Sequence, residues 1–392
     1  MLVQFTIENH RSIKNSSVVS FAASKDKSLE EYLLPMDTKK SLLPAIAIYG
    51  ANAAGKSNVL HAMMTMREMV VGEAARISKG QKLPWEPFGG TKEPTSFESV
   101  FLYQGIRYAY GFSFDAKKIY AEYLYHWPNG REALIFSREN GVYEFRENVN
   151  EQMTLSNRTP ENKLYLVSSN DWNLPQTENA YKWFLEKLTF LMDEEQTNSE
   201  TVAQILDGDD KKARILKELL LADLGISDVA IKNLADKAMA ITTTHRILHE
   251  DGSVEYFQLL MEQESAGTQH FFARIGGWLQ ALENGALLVV DEIEDSLHPL
   301  LTKRLIEMVQ DRNINIKGTQ ILFTTHDCLL LDLNLFRRDQ IWFAEKDNAT
   351  CATELYSLTS FSPRKGENVR GGYLQGRFGA IPFIGGDVLW QR

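Results

Sequence analysis

Gly50, Ala51, Asn52, Ala53, Ala54, Gly55, Lys56 and Ser57 fill every fixed position of the pattern G-x-x-x-x-G-K-[ST], directly after the apolar run Ala45-Ile46-Ala47-Ile48-Tyr49. Residues of these types at this spacing hold a polyphosphate. The glycines let consecutive backbone N–H groups curl around the anion, Lys56 brings a point charge to the β and γ phosphates, and Ser57 offers a hydroxyl to Mg2+. A helix beginning near Lys56, with Asn58 in its first turn, aims the positive end of its dipole at the same charge. ATP and Mg2+ are the cofactors this predicts. A second pair of chemical groups follows another apolar run, Ala286-Leu287-Leu288-Val289-Val290, which ends in Asp291-Glu292. A buried strand that delivers two carboxylates at its carboxyl end reads as a Walker B motif: Asp291 holds Mg2+, and Glu292 orients or deprotonates the attacking water.

Two further segments narrow the class. Glu264-Ser265-Ala266-Gly267-Thr268-Gln269 stands just before the helical run Phe271 to Leu282 and ahead of Asp291. Its Ser265-x-Gly267 core is that of an ABC signature, a serine hydroxyl and helix N-terminal amides suited to a γ phosphate, although a simple helix cap gives the same pattern. His326, in Thr324-Thr325-His326-Asp327, follows the apolar strand Ile321 to Phe323, where an ABC protein carries a switch histidine that reaches the γ phosphate or the water. His298-Pro299 opens the next helix after Walker B, in the loop expected to cross a dimer interface.

The elements that must position these groups alternate between two patterns. Leu2 to Ile7 and Val18 to Phe21 read as an opening antiparallel hairpin, and Lys25 to Lys40 as a polar linker. Asn58 to Val71 is helical, with methionines as core filler. Phe97 to Tyr103, Arg107 to Phe114 and Tyr120 to Trp127 are short alternating strands, and Asn140-Gly141 is a strong hairpin turn, so a β-meander sits here. Its aromatics suit packing better than base stacking. Asn179 to Met192 and Lys211 to Leu224 read as helices, without the heptads of a coiled-coil arm. The expected fold class is α/β: a P-loop NTPase of ABC-head type, with N-terminal antiparallel strands and an inserted β-meander plus helices. Residues 1–75 and 240–392 make the nucleotide-binding core, and 76–239 the insert.

Composition sets outer limits. The chain has 392 residues, 44% of them apolar, and a formal net charge of -10, which argues against a protein coated in positive charge for non-specific DNA binding. Cys328 and Cys351 are too few for a disulfide framework or a four-ligand zinc site. No run reaches the roughly 18 apolar residues of a membrane helix, and Met1 to His10 lacks a leader pattern, so a soluble cytoplasmic protein is expected.

With these residues in place the chain resembles the ABC-type ATPase heads of the RecF, OLD and SMC group, over Met1 to about Val71 and Tyr256 to about Phe343. More closely, it is similar to the AAA-labelled ATPases of anti-phage loci of the RloA, AbiL and PARIS kinds. That likeness is carried by Phe5-Thr6-Ile7-Glu8-Asn9-His10-Arg11-Ser12-Ile13, Glu264 to Gln269, Asp291-Glu292-Ile293-Glu294 with His298-Pro299, and Tyr373-Leu374-Gln375-Gly376-Arg377-Phe378-Gly379-Ala380. The resemblance implies Arg11 near the nucleotide, a phosphate or subunit contact for Arg377, for which a buried structural salt bridge is the alternative, and an ATP-sandwiched dimer or higher homo-oligomer. It also implies an effector protein encoded nearby, with any nuclease activity in that partner. Gln104, in the turn Gln104-Gly105, is a poor Q-loop glutamine. The competing readings are a RecF-like ATPase clamping DNA and a transporter cassette.

Overall fold

Apolar and polar residues alternate along β1, Leu2–Glu8, which buries Leu2, Phe5 and Ile7 and pairs antiparallel with β2, Ser17–Ser20. The computed structural model describes residues 1–382 except 38–39, 193, 223–224, 234–238 and 365. A small hairpin of β3, Leu34–Pro35, and β4, Ser41–Leu42, leads into β5, Ala45–Tyr49, buried at every position. The phosphate loop joins β5 to α1, Lys56–Val71, whose Met63, Met66 and Met69 are buried in the core.

The meander strands are β6 Thr95–Tyr103, β7 Ile106–Phe114, β8 Ile119–Trp127, β9 Ala133–Glu139 and β10 Val142–Phe145. Asn140 and Gly141 both take positive φ, 46° and 85°, the backbone that a two-residue hairpin turn requires. β6 pairs with β1, so the meander and the opening hairpin form one sheet in the order β10-β9-β8-β7-β6-β1-β2.

Helices α2 Val149–Ser156, α3 Tyr165–Asp171 and α4 Pro175–Glu186 follow. The sequence reading ran one helix from Asn179 to Met192; instead the chain leaves α4 at Glu186, and Leu188–Leu191 forms β11 at the edge of the central sheet. A four-residue apolar run has too little length for periodicity to separate helix from strand. Helices α5 Glu194–Asp207 and α6 Asp209–Leu221 precede a separate antiparallel sheet of β12 Ile226–Asn233, β13 Met239–Leu248 and β14 Val254–Leu260.

The rest of the chain completes the central sheet: α7 Ala266–Asn284, β15 Leu287–Val290, α8 Pro299–Gln310, β16 Gln320–Thr325, β17 Ile341–Lys346, β18 Thr353–Ser357 and α9 Val369–Leu374. Its order is β11-β15-β16-β5-β17-β18, parallel throughout except for β18. Both faces are covered, as a parallel sheet needs. Ile46 and Ile48 of β5 face the core shared with α1 and the outer sheet, whereas Ala45, Ala47 and Tyr49 face that of α7 and α8. Buried Gln320 joins the two sheets: its amide accepts from Leu2 N at 2.6 Å and donates to Leu2 O at 3.0 Å and Leu43 O at 3.1 Å. Among the described residues no helix is long and apolar enough to cross a membrane.

Candidate functional site

The carboxyl ends of β5, β15 and β16 lie side by side, because β16 is hydrogen-bonded to both of the others. From β5 the chain enters the phosphate loop with Gly50 packed so closely on β17 that a Cβ there would stand 2.4 Å from Ala344 O. Gly55, at φ 96°, caps α1 where a Cβ would meet Thr353 Oγ1 and Ser12 Oγ. Only glycine suits that backbone and that space. Thr353 Oγ1 holds the loop from outside by donating to Ala54 O at 2.9 Å and shares a hydroxyl–hydroxyl hydrogen bond with Ser12 Oγ at 2.7 Å, and Asn58 Nδ2 donates to the same Ser12 hydroxyl at 2.7 Å. Asn58, expected among the nucleotide contacts, is therefore turned toward Ser12.

Lys56 is 6% exposed and donates Nζ to Gly50 O at 2.9 Å and Ala51 O at 3.1 Å, so its ammonium lies across the mouth of its own loop. Burial pushes its pKa down, while Glu292, Asp291 and Glu294 oppose that shift. Ser57 Oγ donates to Asp291 Oδ1 at 3.0 Å, and Thr324 Oγ1 donates to the same oxygen at 2.5 Å while accepting from Glu292 N at 2.8 Å. Thr324 is fully buried and orders both Walker B residues; only its position two residues before His326 signalled it. Glu292 is exposed and sits at φ 43°, a costly backbone for a residue with a side chain.

His326 is tied to the same turn, since Glu294 Oε1 accepts from His326 N at 2.6 Å and lies 3.0 Å from its Nδ1. Glu294 belongs to the segment Asp291-Glu292-Ile293-Glu294, and its spacing alone assigns it no role. With Nδ1 so occupied, Nε2 is the ring nitrogen left for a ligand. His326 also borders a cavity of about 740 Å³ beside Gly50 to Ala54, whose far wall includes Ala344, Tyr373, Ala380 and Ile381. The tail motif thus has a physical account: Tyr373 stacks on Phe343 at 5.5 Å and donates its hydroxyl to Ala380 O at 3.0 Å, building that wall. Arg377 is exposed and paired with Glu367.

Arg11 occupies a left-handed turn at φ 49° and pairs with Glu86, Nε to Oε2 at 2.5 Å, beside the Ser12 that braces the loop. The bond from Arg11 pulls the Glu86 carboxyl below its ordinary range. Ser265 is exposed and caps α7, its Oγ accepting from Thr268 N at 3.2 Å; Gly267 packs on the loop after Walker B. Neither makes a hydrogen bond to the phosphate loop among the described residues. His298 caps α8 by accepting from Leu300 N at 3.3 Å. Cys328 and Cys351 are free thiols.

In total, the structure gathers Lys56, Ser57, Asp291, Glu292 and His326 at one edge of the sheet and leaves Ser265 on the surface. Among solved structures, the SMC head domain from Thermotoga maritima is similar at 12% identity, with 91% of this chain and 98% of that chain covered and a TM-score of 0.41. An SMC head bound to the C-terminal winged-helix domain of ScpA is similar at 13% identity, covering 92% and 99%, with a TM-score of 0.40. The cbiO1 subunit from Clostridium perfringens, part of an ABC transporter complex, shares 13% identity over 50% of this chain and 66% of that one, with a TM-score of 0.26. A search of curated proteins returns no match. Residues 45–332 match the family described as "AAA domain, putative AbiEii toxin, Type IV TA system", and the chain belongs to that family, as a P-loop ATPase.

Proposed function

We propose that two copies of this chain close around ATP and Mg2+, with Lys56 and Ser57 of one copy facing Ser265 and Gly267 of the other, and that hydrolysis reopens the pair. The observation that carries this reading is the division of the site. The groups for phosphate, metal and water converge on one edge, while Ser265, a helix cap suited to a γ phosphate, stands exposed on the same chain without meeting them. A second copy supplies the missing face.

Ser57 Oγ and Asp291 Oδ1 are hard oxygen donors 3.0 Å apart, a set that fits Mg2+. An ion held there would supply positive charge to the phosphate oxygens of ATP. The protein's own groups do the rest. Lys56 exchanges the Gly50 and Ala51 carbonyls for phosphate oxygens, Glu292 accepts the proton of the attacking water, and His326, held through Nδ1 by Glu294, turns Nε2 toward the γ phosphate.

The family's description names a putative toxin of a type IV toxin–antitoxin system, which supports a defence or toxin–antitoxin link, and the likeness of the sequence motifs extends this reading to bacterial anti-phage defence of the RloA, AbiL or PARIS kind. In this reading the core, residues 1–75 and 240–392, carries the switch, and segment 76–239 passes its state to a partner effector, a nuclease or toxin. The Glu292→Gln variant tests the cycle. It is expected to bind ATP as the wild type does, to lose about 100-fold or more in turnover, and to persist as an ATP-dependent dimer by light scattering. Wild-type turnover in this variant would remove Glu292 as the base.

A further inference from the structure

Three residues on one face of α7, spaced three and four apart, meet the turn that carries Glu292. A Cβ on Gly267 would stand 2.9 Å from Ser296 O, so the helix backbone and the turn are in close contact there. His270 Nδ1 lies 3.5 Å from Asp295 Oδ2. Arg274, 9% exposed, donates Nη1 to Ile293 O at 2.8 Å and reaches Glu292 O with Nη2 at 3.5 Å. The Glu292 peptide is therefore held from both sides, its N–H by Thr324 Oγ1 at 2.8 Å and its carbonyl by Arg274. A glutamate at φ 43° stays there only if its surroundings impose that backbone, and these two contacts do so.

We propose that Arg274 is a positioning residue for ATP hydrolysis: its buried guanidinium bridges the Glu292 and Ile293 carbonyls and fixes the backbone from which the Glu292 carboxylate addresses the water. A planar fork spans two carbonyl oxygens, which a single ammonium cannot do. The inference rests on Glu292 as the base, and it adds a link that the proposed cycle lacks. Ser265 caps the helix that carries Arg274, so contact of a second copy with one end of α7 bears on the carboxylate of the same chain.

Steady-state ATP turnover of Arg274→Met and Arg274→Lys, each also combined with Glu292→Gln, tests this. Arg274→Met is expected to lower kcat about 10-fold or more with KM for ATP within about twofold, and Arg274→Lys to recover part of the loss. In the Glu292→Gln background Arg274→Met should add little, because the two act as one unit. An unchanged kcat in both single variants, a changed KM with kcat intact, or an equal fold-loss in both backgrounds would overturn the proposal. Arg274→Lys, with its melting temperature measured beside the wild type, keeps the test decisive if Arg274→Met does not fold. Full turnover in Glu292→Gln alone is a different failure, that of the base itself.

Discussion

Single side chains around the phosphate loop carry their charge under constraint. Burial lowers the pKa of Lys56 while three carboxylates, Glu292, Asp291 and Glu294, oppose that shift, and its Nζ is occupied by the Gly50 and Ala51 carbonyls. His10 is shifted the same way with less to oppose it. It is fully buried against Phe97 at 5.3 Å with neither ring nitrogen bonded among the described residues, and burial, reinforced by Arg11, pushes its pKa down to about 4. The folded state thus prefers the neutral ring. Stability from this residue is complete above the ordinary histidine pKa and is lost as pH falls from 6.5 toward 4, by up to about 3 kcal/mol. Urea unfolding at pH 7 and pH 4.5 should show that loss, and His10→Phe should flatten it; an equally steep loss in the variant would acquit His10.

Among the secondary elements, the meander is fastened to the helices behind it by one buried carboxylate. Glu122 accepts from Tyr110 Oη at 3.0 Å, Tyr165 N at 2.6 Å and Leu166 N at 2.9 Å, with Arg138 at 3.9 Å, so it caps α3 from the floor of the sheet. Replacing it by alanine leaves two buried amides without an acceptor and the Arg138 guanidinium with backbone carbonyls but no counter-charge, which is expected to cost about 3–5 kcal/mol of unfolding free energy. Chemical denaturation measures it, and a change under about 1 kcal/mol would show that the cluster is not integral to the sheet. None of this network was legible in the sequence, because the partners are fixed by strand register and not by spacing. The individual strands were legible, since half-buried antiparallel strands alternate and Asn140-Gly141 punctuates them. Leu188–Leu191 was not, being an edge strand too short to show a period. The tail from Tyr373 to Ala380 showed its residues but not its purpose, which exists only once a residue distant in sequence, Phe343, stacks on Tyr373.

For the molecule as a unit, the proposed cycle makes each copy half an enzyme. Mixing Lys56→Ala chains with Ser265→Arg chains should restore turnover that neither shows alone, because the mixed pair contains one intact site. No recovery, or full activity of an isolated wild-type subunit at high dilution, would sink the paired site. The order of motifs along the chain made the nucleotide chemistry readable, but not the joining of the meander to β1, which brings distant segments into one sheet. That joining has a temporal side. Leu2 is hydrogen-bonded to Gln320, and among the described residues β5 pairs only with β16 and β17, so β5 is synthesised well before the strands that flank it. A chain interrupted before residue 320 therefore carries its phosphate loop on a strand without those neighbours, and in the proposed cycle such a fragment is not expected to hold ATP.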